Sequence, residues 1–358
     1  MKKVFLLIFF CLIIFILNKK NTKISCDKEG NFKILVVADP QCDTKKQWYE
    51  ARDELEILIE RSNPNFIIIN GDINSKNKVP ADMWKLFISP ITKRNIYWST
   101  TNGNHDPYSE KNYTMYKTYK YCLNNKVDVT DHNYEYNRPM NYVIPIYSND
   151  KQKIVFTIYC MDSGTVNNYG YEGLTKKQIN WYKEKSNQLK ILNGGKTVTS
   201  LLCMHIPLTQ TLDMVYSCDS IQNNSKYLYK TYGITNQSGN AIKKYVCENG
   251  TVVNNASIHT TAPKNDRGMF KEILNQGDIK VVIFGHEHKT NIIGYYKGVL
   301  LGFAGKLSTG CYSDNLCRGG RVIEFNQSAP QNFKVYWIGS MQSSKDQQAI
   351  YYDGTTVK

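Results

Sequence analysis

The stretch Ile279-Lys280-Val281-Val282-Ile283-Phe284-Gly285-His286-Glu287-His288 joins a short apolar run to a glycine and two histidines. An apolar run of this length is typical of a buried β-strand. Gly285 lets the backbone turn without a Cβ clash, and imidazoles one residue apart in the following loop can reach two neighbouring ions, or two positions on one ion. Alone, the pattern is weak evidence, because a structural or solvent-facing histidine pair is the commoner case. Its meaning depends on what the other predicted strands carry at their ends.

The composition indicates a folded body without a nucleic-acid partner. The 358 residues are 41% hydrophobic, which is enough to bury a large core. The formal net charge is +14, but lysine and arginine are spread along the chain without the basic runs that mark nucleic-acid-binding arms. We therefore expect a solvated basic surface with a mild attraction for anionic substrates.

The first 25 residues are typical of a secretory leader. The basic end Met1-Lys2-Lys3 precedes about fourteen apolar residues, Val4 to Leu17, a length that fits a signal peptide better than a membrane span of about twenty. No obvious small-x-small cleavage site appears before Ser25, so a cleaved signal peptide and an uncleaved anchor both stay open. In either case we predict entry into the secretory pathway, with membrane contact only through this segment. Glycosylation sequons are compatible with a secreted glycoprotein, although an asparagine-rich chain contains several by chance; they begin at Asn112, Asn249 and Asn255.

Apolar runs alternate with helical patterns through the body, which predicts an α/β sheet whose strands end side by side. Pro90 is expected to stop the second helix. The predicted helices cover 45–61, 81–88, 175–189 and 266–275. The predicted strands cover 32–38, 66–69, 95–99, 141–147, 153–161, 198–204 and 279–284, with later runs at 299–301, 321–325 and 333–338.

Many of these strands are followed by a side chain that can bind metal. Four of the six histidines stand at such places. Carboxylate, imidazole and amide oxygen together suit borderline divalent metals such as Mn²⁺, Fe or Zn²⁺, rather than calcium cages or thiolate zinc. A shared carboxylate can bridge two cations about 4 Å apart, so we predict two metal ions. The residues at the strand ends are Asp39, Asp72, Asn104, His105, His205, His286 and His288.

These residues, in this order, resemble the calcineurin-like metallophosphoesterase superfamily, whose motifs run D-x-H, G-D, G-N-H-[DE], a single His and G-H-x-H. Each motif alone is common, but five in order across about 250 residues are not. They occur here as Asp39-Pro40-Gln41, Gly71-Asp72, Gly103-Asn104-His105-Asp106, Met204-His205 and Gly285-His286-Glu287-His288. The chain is most similar to the small purple-acid-phosphatase-related branch, and this likeness rests on residues 96–102, 159–164, 178–182, 205–208 and 318–322.

The resemblance implies a fold of the α/β class in its four-layer α+β form, with two mixed β-sheets packed as a sandwich and flanked by helices. It covers residues 32–340, which are expected to form one domain. The polar segment 209–265 is expected to be an insertion on the loop face that shapes the substrate site. Residues 341–358 remain as a polar tail without expected structure.

The resemblance also implies roles for single residues. His105 would contact the phosphate and protonate the leaving alkoxide, with Asp106 steadying it. Structural alternatives stay open, namely capping for His105, turn chemistry for Asn104 and a helix N-cap for Asp39. The implied ligands of one ion are Asp39, Asp72 and His288, with Gln41 where a further ligand is usual, and those of the other ion are Asp72, Asn104, His205 and His286.

Two departures from the family pattern matter. Gln41 stands where a histidine is usual, and its amide oxygen is a weaker, neutral ligand, so one ion is expected to be held loosely or completed by water. Gly71-Asp72 is followed by Ile73-Asn74-Ser75-Lys76, without the metal-bound tyrosine of the purple enzymes. A purple colour is therefore not expected.

The implied activity is hydrolysis of phosphate esters, on small molecules or proteins, by attack of a metal-bridged hydroxide. Phosphomonoesterase activity of the acid-phosphatase or protein-phosphatase kind is favoured, with phosphodiesterase activity second. The competing hypothesis is a binding module that keeps the fold with weakened metal sites. Gln41 favours the binding module, and His105 speaks against it.

Overall fold

Two mixed β-sheets carry the fold, as predicted. The computed structural model describes residues 23–73, 75, 79–106, 141–168, 170–211, 213–214, 262–313, 317–342, 344, 346 and 349–354, and the backbone of 228–235, 241–246 and 252–254. The elements in chain order are β1 (Ile24–Ser25), β2 (Asn31–Val37), α1 (Lys45–Ser62), β3 (Phe66–Asn70), α2 (Ala81–Phe87), α3 (Ser89–Lys93), β4 (Tyr97–Thr101), β5 (Tyr142–Tyr147), β6 (Ile154–Cys160), β7 (Val166–Asn167), β8 (Gly170–Tyr171), α4 (Lys176–Leu192), β9 (Ser200–Cys203), β10 (Leu228–Thr235), β11 (Ala241–Val246), β12 (Val252–Asn254), α5 (Met269–Gln276), β13 (Ile279–Phe284), β14 (Ile293–Tyr296), β15 (Val299–Phe303), β16 (Gly319–Asn326), β17 (Asn332–Gly339) and β18 (Ile350–Asp353).

The strand order brings parallel strands together in both sheets. The ten-stranded sheet has the order β1-β5-β6-β9-β13-β15-β14-β12-β11-β10, and the six-stranded sheet has the order β18-β17-β16-β2-β3-β4. In the six-stranded sheet β2, β3 and β4 are parallel neighbours, and in the ten-stranded sheet β6, β9 and β13 are parallel neighbours. Each sheet therefore collects the carboxyl ends of adjacent strands at one edge, which is where α/β sheets assemble their sites.

The core lies between the two sheets and beneath the helices on either side. Side chains alternate between the two faces of a strand. In β13, Val281 and Ile283 pack in the cluster that joins the two sheets, whereas Val282 and Phe284 pack with α4 and α5. Helix α1 packs against β2, β16 and β17 of the six-stranded sheet. The order helix, sheet, sheet, helix confirms the predicted four-layer class.

Both long helices begin at a threonine that caps them. Thr44 accepts a hydrogen bond from the backbone N–H of Gln47, whose side chain accepts one from the backbone N–H of Thr44. Thr175 and Gln178 form the same capping box at the start of α4. Each box satisfies amide groups that a helix N-terminus leaves without intrahelical partners. These caps explain why the observed helix starts agree with the predicted ones to within one residue.

Several segments differ from the prediction. The second helix ends at Phe87, one residue before its predicted end. A further short helix that was not predicted, α3, follows with Pro90 in its first turn, where proline's missing N–H is not needed. Backbone strands β10, β11 and β12, which were not predicted, extend the ten-stranded sheet within the segment 209–265 that was expected to be an insertion. At the chain ends, Ile24–Ser25 pairs with β5 and Ile350–Asp353 pairs with β17, so parts of the expected leader and tail belong to the sheets.

Other predictions fall outside the described residues, namely the leader up to residue 22, the Tyr-rich segment 108–140 and the three sequons. Across the residues that the structure does describe, no helix has both the length and the apolar character needed to cross a membrane.

A buried carboxylate on α1 supports the loops beside the strand ends. Glu54 forms an ion pair with Arg318 inside the fold. Its carboxylate also accepts hydrogen bonds from the Ser308 amide at 3.1 Å and from the Ser340 hydroxyl at 2.7 Å. The Ser308 hydroxyl in turn donates to the carbonyl of Pro40 at 2.5 Å. Glu54 therefore connects the helix to the loop that follows β2.

Replacing Glu54 by Leu is expected to lower the free energy of unfolding by about 3–5 kcal/mol, because it leaves the Arg318 guanidinium buried without this carboxylate. Urea denaturation measures the loss. The matched control is Glu60→Leu on the same helix, where the side chain is 64% exposed and pairs with Arg94, so a change below about 1 kcal/mol is expected. Equal losses for both variants would contradict this role for Glu54.

Candidate metal centre

The predicted ligands gather where strands of both sheets end. The six-stranded sheet supplies four of them and the ten-stranded sheet supplies three, from loops that follow parallel strands. In chain order they are Asp39 and Gln41 after β2, Asp72 after β3, Asn104 after β4, His205 after β9, and His286 and His288 after β13.

Two groups of buried side chains at this place could each hold a metal ion. Asp72, His205 and His286 form one group, and Asp39, Asp72 and His288 form the other; within each group the ligand atoms lie within 4.8 Å of one another. His205 Nε2 lies 3.3 Å from Asp72 Oδ2, and His288 Nε2 lies 3.3 Å from Asp39 Oδ1. Asp72 is common to both groups, which is the position that a bridging carboxylate takes between two ions.

The atoms that line this space fit a divalent cation. Five buried nitrogen and oxygen atoms of the described site residues have no hydrogen-bond partner. Each unsatisfied buried polar group costs about 1–3 kcal/mol. Carboxylate, amide and imidazole lone pairs that converge on one point are the donors that a divalent metal takes. The five atoms are Asp39 Oδ1, Gln41 Oε1, Asn104 Oδ1, His205 Nε2 and His286 Nε2.

Backbone carbonyl groups orient two of the imidazoles. The ring nitrogen Nδ1 of His205 lies 2.8 Å from the carbonyl oxygen of Asn70, and that of His288 lies 3.1 Å from the carbonyl oxygen of Tyr312. A proton on Nδ1 satisfies each carbonyl and leaves the Nε2 lone pair for a metal. The Asn70 side chain also donates to carbonyl groups at the ends of β9 and β13, at 3.0 and 3.1 Å. Asn70 thus fixes both the ring of His205 and the junction of the two sheets.

The charges at the centre favour a cation. Burial acts to lower the pKa of His205, but the carboxylates of Asp72 and Asp39 outweigh it and raise that pKa to about 10. Burial, together with the neighbouring His205, lowers the pKa of His286 to about 3. Without metal, the two carboxylates therefore hold a proton on His205. A cation has to displace that proton, so metal binding here would release a proton to solvent.

The loops that carry these side chains have a strained backbone. Asp39, Gln41, Asp72 and His286 have φ values of 55°, 41°, 50° and 73°. This left-handed region costs a non-glycine residue roughly 1–2 kcal/mol. Strained residues persist only where the surrounding structure holds them, and they are concentrated at functional sites. Four such residues at one centre indicate a functional site, because their backbone conformation lowers the stability of the fold.

Close backbone approach explains two of the glycines in the motifs. A Cβ atom on Gly285 would lie 2.6 Å from His205 Nδ1 and 2.9 Å from Asp39 Oδ2. A Cβ atom on Gly103 would lie 2.1 Å from Asp72 Oδ1. From the sequence we predict that Gly285 is needed for a turn. Its φ is not positive, so glycine is needed there because the ligand residues pack closely against it.

Gln41 faces the centre from the position where the family pattern has histidine. The residue is 1% exposed, and its Nε2 donates a hydrogen bond to Asp72 Oδ2 at 3.0 Å. Its Oε1 is one of the five unpaired atoms. As a donor to the shared carboxylate, Gln41 competes with a cation for the Asp72 lone pair. This competition is a physical reason to expect weaker metal binding at the position beside Asp39 and Gln41.

His105 and Asp106 lie beside the ligands but in different surroundings. The His105 side chain is 44% exposed, and its Nε2 lies 4.0 Å from Asp72 Oδ2. It can therefore meet a ligand that arrives from solvent. The buried Asp106 carboxylate instead accepts hydrogen bonds from the backbone amides of Asp72, Ile73 and Gly103, at 2.8, 3.1 and 2.8 Å. Its contacts join the loop that carries Asp72 to the loop that carries His105, and the role that the resemblance implies for Asp106, steadying His105, stays a prediction.

Four residues near the centre were not predicted as site residues. Asn70 directly precedes Gly71-Asp72 at a predicted strand end, so its position could have identified it. Lys306 is buried and donates from Nζ to the carbonyl oxygen of Asp39 at 2.7 Å. The rings of Tyr171 and Tyr312 contact those of His286 and His288. These last three lie at or between short strands, where no periodic pattern marks them.

The chain matches a known family over most of its length. A family model for calcineurin-like phosphoesterases matches residues 32–290, which is more than half of the chain. Probable inactive purple acid phosphatase 29 of Arabidopsis thaliana is 24% identical over 323 residues, covering 79% of this chain and 73% of that protein. Probable inactive purple acid phosphatase 14 of the same plant is 23% identical over 337 residues, covering 83% of this chain and 75% of that protein.

Solved structures share the fold. A dimetal phosphatase from Danio rerio has a TM-score of 0.54 at 11% identity, covering 90% of this chain and 99% of that one. GAP50, described as the anchor in the inner membrane complex of Plasmodium, has a TM-score of 0.51 at 11% identity, covering 90% and 89%. The family match and the two groups of candidate ligands together support binding of divalent metal. The chain belongs to the calcineurin-like phosphoesterase family.

Proposed function

We propose that the protein hydrolyses phosphate monoesters at a centre of two divalent metal ions. The observation that carries the proposal is the set of unpaired buried donor atoms around Asp72. Buried polar atoms in folded proteins are normally hydrogen-bonded, so a cluster of unpaired ones indicates a bound ion. One ion would be held by Asp39, Asp72 and His288, with Gln41 beside it. The other ion would be held by Asp72, Asn104, His205 and His286.

The residues of the chain divide the work of hydrolysis. Bound divalent ions would supply the positive charge that acidifies water and stabilises phosphoryl oxygens. His105, exposed at the edge of the centre, would contact the phosphate and donate a proton to the leaving alkoxide. The Asp106 carboxylate would hold the backbone of the two loops that carry Asp72 and His105. Monoesters are favoured because a terminal phosphate presents more free oxygen atoms to such a centre than a diester does.

A catalytically weakened binding module is the second candidate. It is favoured by the hydrogen bond from Gln41 to Asp72, which occupies a lone pair that a metal would use. The Arabidopsis relatives also carry the word inactive in their names.

The protein prepared with Mn²⁺ should be assayed for bound metal and for turnover of p-nitrophenyl phosphate and bis(p-nitrophenyl) phosphate. Turnover of the monoester above the diester is the expected result. A folded preparation with near-zero metal and no turnover would select the binding module, and preferential turnover of the diester would select a phosphodiesterase.

Gln41→His is expected to strengthen metal binding at the position beside Asp39. The change replaces a donor to Asp72 with an imidazole lone pair, and we expect about a tenfold gain in affinity, at the low end of the 10–100-fold range seen when groups around metal ligands are changed. Calorimetric titration of metal-free protein with Mn²⁺ should then show two sites of more similar affinity than in the parent. Gln188→His, at an exposed position on α4, is the control. Unchanged titration curves for Gln41→His would contradict this role for Gln41.

The N-terminal leader supports function in the secretory pathway, as a secreted or lumenal protein. Its substrates would be phosphorylated small molecules or proteins of that compartment. Expression of the full chain in a eukaryotic cell, followed by N-terminal sequencing of the product, tests whether the leader is removed. Recovery in the cytosol with the leader intact would contradict the proposed location.

A further inference from the structure

Two partly exposed tyrosine rings flank the metal-binding imidazoles. The Tyr171 ring stands edge-on to His286, with ring centroids 4.4 Å apart and an interplanar angle of 83°. The Tyr312 ring stacks on His288 at 4.1 Å and 30°, and Tyr312 is 40% exposed. The two rings therefore stand beside different ligand groups, one on the side of each proposed ion. Solvent reaches both rings, so they are available to a ligand at the centre.

We propose that Tyr171 and Tyr312 form a subsite for a planar aromatic leaving group, so that the preferred substrates are aryl phosphate monoesters. This inference rests on the proposed function and specifies its substrate class. In an aryl phosphate the ring is attached directly to the bridging oxygen. If the phosphate occupies the metal centre, the aryl ring lies next to the imidazoles and therefore next to the two tyrosine rings.

The chemistry of the subsite suits an aryl group. Offset stacked and edge-to-face contacts between aromatic rings contribute about 0.5–1.5 kcal/mol beyond burial of area. A tyrosine hydroxyl has an ordinary pKa of about 10, so both groups are uncharged at neutral pH and do not repel a phosphate. A nucleoside monophosphate is a poorer fit, because its ribose separates the base from the phosphate and carries the base past these rings.

Hydrolysis of an aryl phosphate balances with the groups present. Water supplies the oxygen that bonds to phosphorus, the bond between phosphorus and the aryl oxygen breaks, and that oxygen keeps the electron pair. His105 donates a proton to it and regains one from the attacking water, and the products are a phenol and inorganic phosphate. The net reaction consumes one water and needs no other reactant.

The first test compares phenyl phosphate with cyclohexyl phosphate, which have rings of equal size but differ in planarity. In Tyr171→Leu and Tyr312→Leu, kcat/KM for phenyl phosphate should fall about tenfold relative to the parent, while that for cyclohexyl phosphate changes little. Tyr171→Phe and Tyr312→Phe keep the ring and should retain the preference of the parent. Tyr351→Leu, at an exposed position of the edge strand β18 in the six-stranded sheet, is the control outside the site. Equal losses on both esters, accompanied by loss of bound metal, would mean that the rings only hold the imidazoles, and would overturn the proposal.

Binding separates failure of the subsite from failure of the enzymatic function. Calorimetry on Mn²⁺-loaded protein should show tighter binding of phenylphosphonate than of cyclohexylphosphonate, by about tenfold, and this difference should disappear in the Leu variants. The measurement does not require turnover. Absence of turnover with a retained phenyl preference would overturn only the enzymatic function. Equal binding of the two phosphonates, or binding of neither, would overturn the subsite.

Discussion

Asp72→Asn is expected to remove most of the bound metal and to lower kcat/KM for p-nitrophenyl phosphate by roughly 10³-fold. Asp72 is the one carboxylate that both ligand groups share. The amide of Asn keeps the shape of the side chain and can still accept the hydrogen bond that the His105 backbone amide donates to Oδ1 at 2.8 Å. It removes the negative charge between the two positions. Loss of about 4 kcal/mol of transition-state stabilisation by the ions corresponds to that factor.

The measurement combines metal analysis of the purified protein with steady-state kinetics. Asp53→Asn on α1 makes the same chemical change at a carboxylate that is 60% exposed and far from the ligands, and it should leave metal content and rate unchanged. Circular dichroism checks that both variants are folded. An Asp72→Asn protein that keeps its metal and its turnover would rule out the proposed centre.

Gly103→Ala is expected to abolish metal binding and turnover and to destabilise the fold by about 3 kcal/mol, the upper end of the usual cost of overpacking. The new Cβ would stand 2.1 Å from Asp72 Oδ1 and 2.4 Å from the Asp72 backbone nitrogen. The backbone nitrogen cannot rotate away as a side chain can. The loop between β3 and Asp72, or the loop after β4, would have to move and would separate the ligands.

A second buried glycine distinguishes damage to the site from general overpacking. A Cβ on Gly302 in β15 would lie 2.9 Å from Cγ1 and 3.0 Å from Cβ of Ile293, which is not a candidate ligand. Gly302→Ala should therefore lower stability while metal binding and turnover persist. Urea denaturation and calorimetric titration with Mn²⁺ on both variants make the comparison. Normal metal affinity in Gly103→Ala would show that the close approach is not needed to form the centre.

The sequence predicted the parts of the site that follow long apolar strands. Asp39, Asp72, His205 and His286 each come directly after a buried run, and the carboxyl ends of parallel strands meet at one edge. Their convergence therefore follows from strand order, and the structure brings them together as expected. Whether they bind metal remains a prediction that the experiments above test.

Other features could not be read from the chain because they depend on tertiary contacts. Lys306 reaches Asp39 from a loop between sheet strands, and Glu54 reaches Ser308 from a helix face that otherwise shows an ordinary apolar stripe. Nothing in the local pattern marks either contact. Strands such as β10 and β18 were missed for a different reason. They are short or polar, so their sequences do not stand out from those of the neighbouring loops.

The division of ligands between the two sheets has a consequence for the lifetime of the protein. Candidate ligands come from both sheets, so a bound ion would tie together two layers that are otherwise joined by packing and hydrogen bonds. A ligand that binds only the folded state stabilises it by about 2.7 kcal/mol when its concentration is 100 times the dissociation constant. The supply of transition metal in its compartment would then determine how long the protein survives proteolysis, independently of any substrate it meets there.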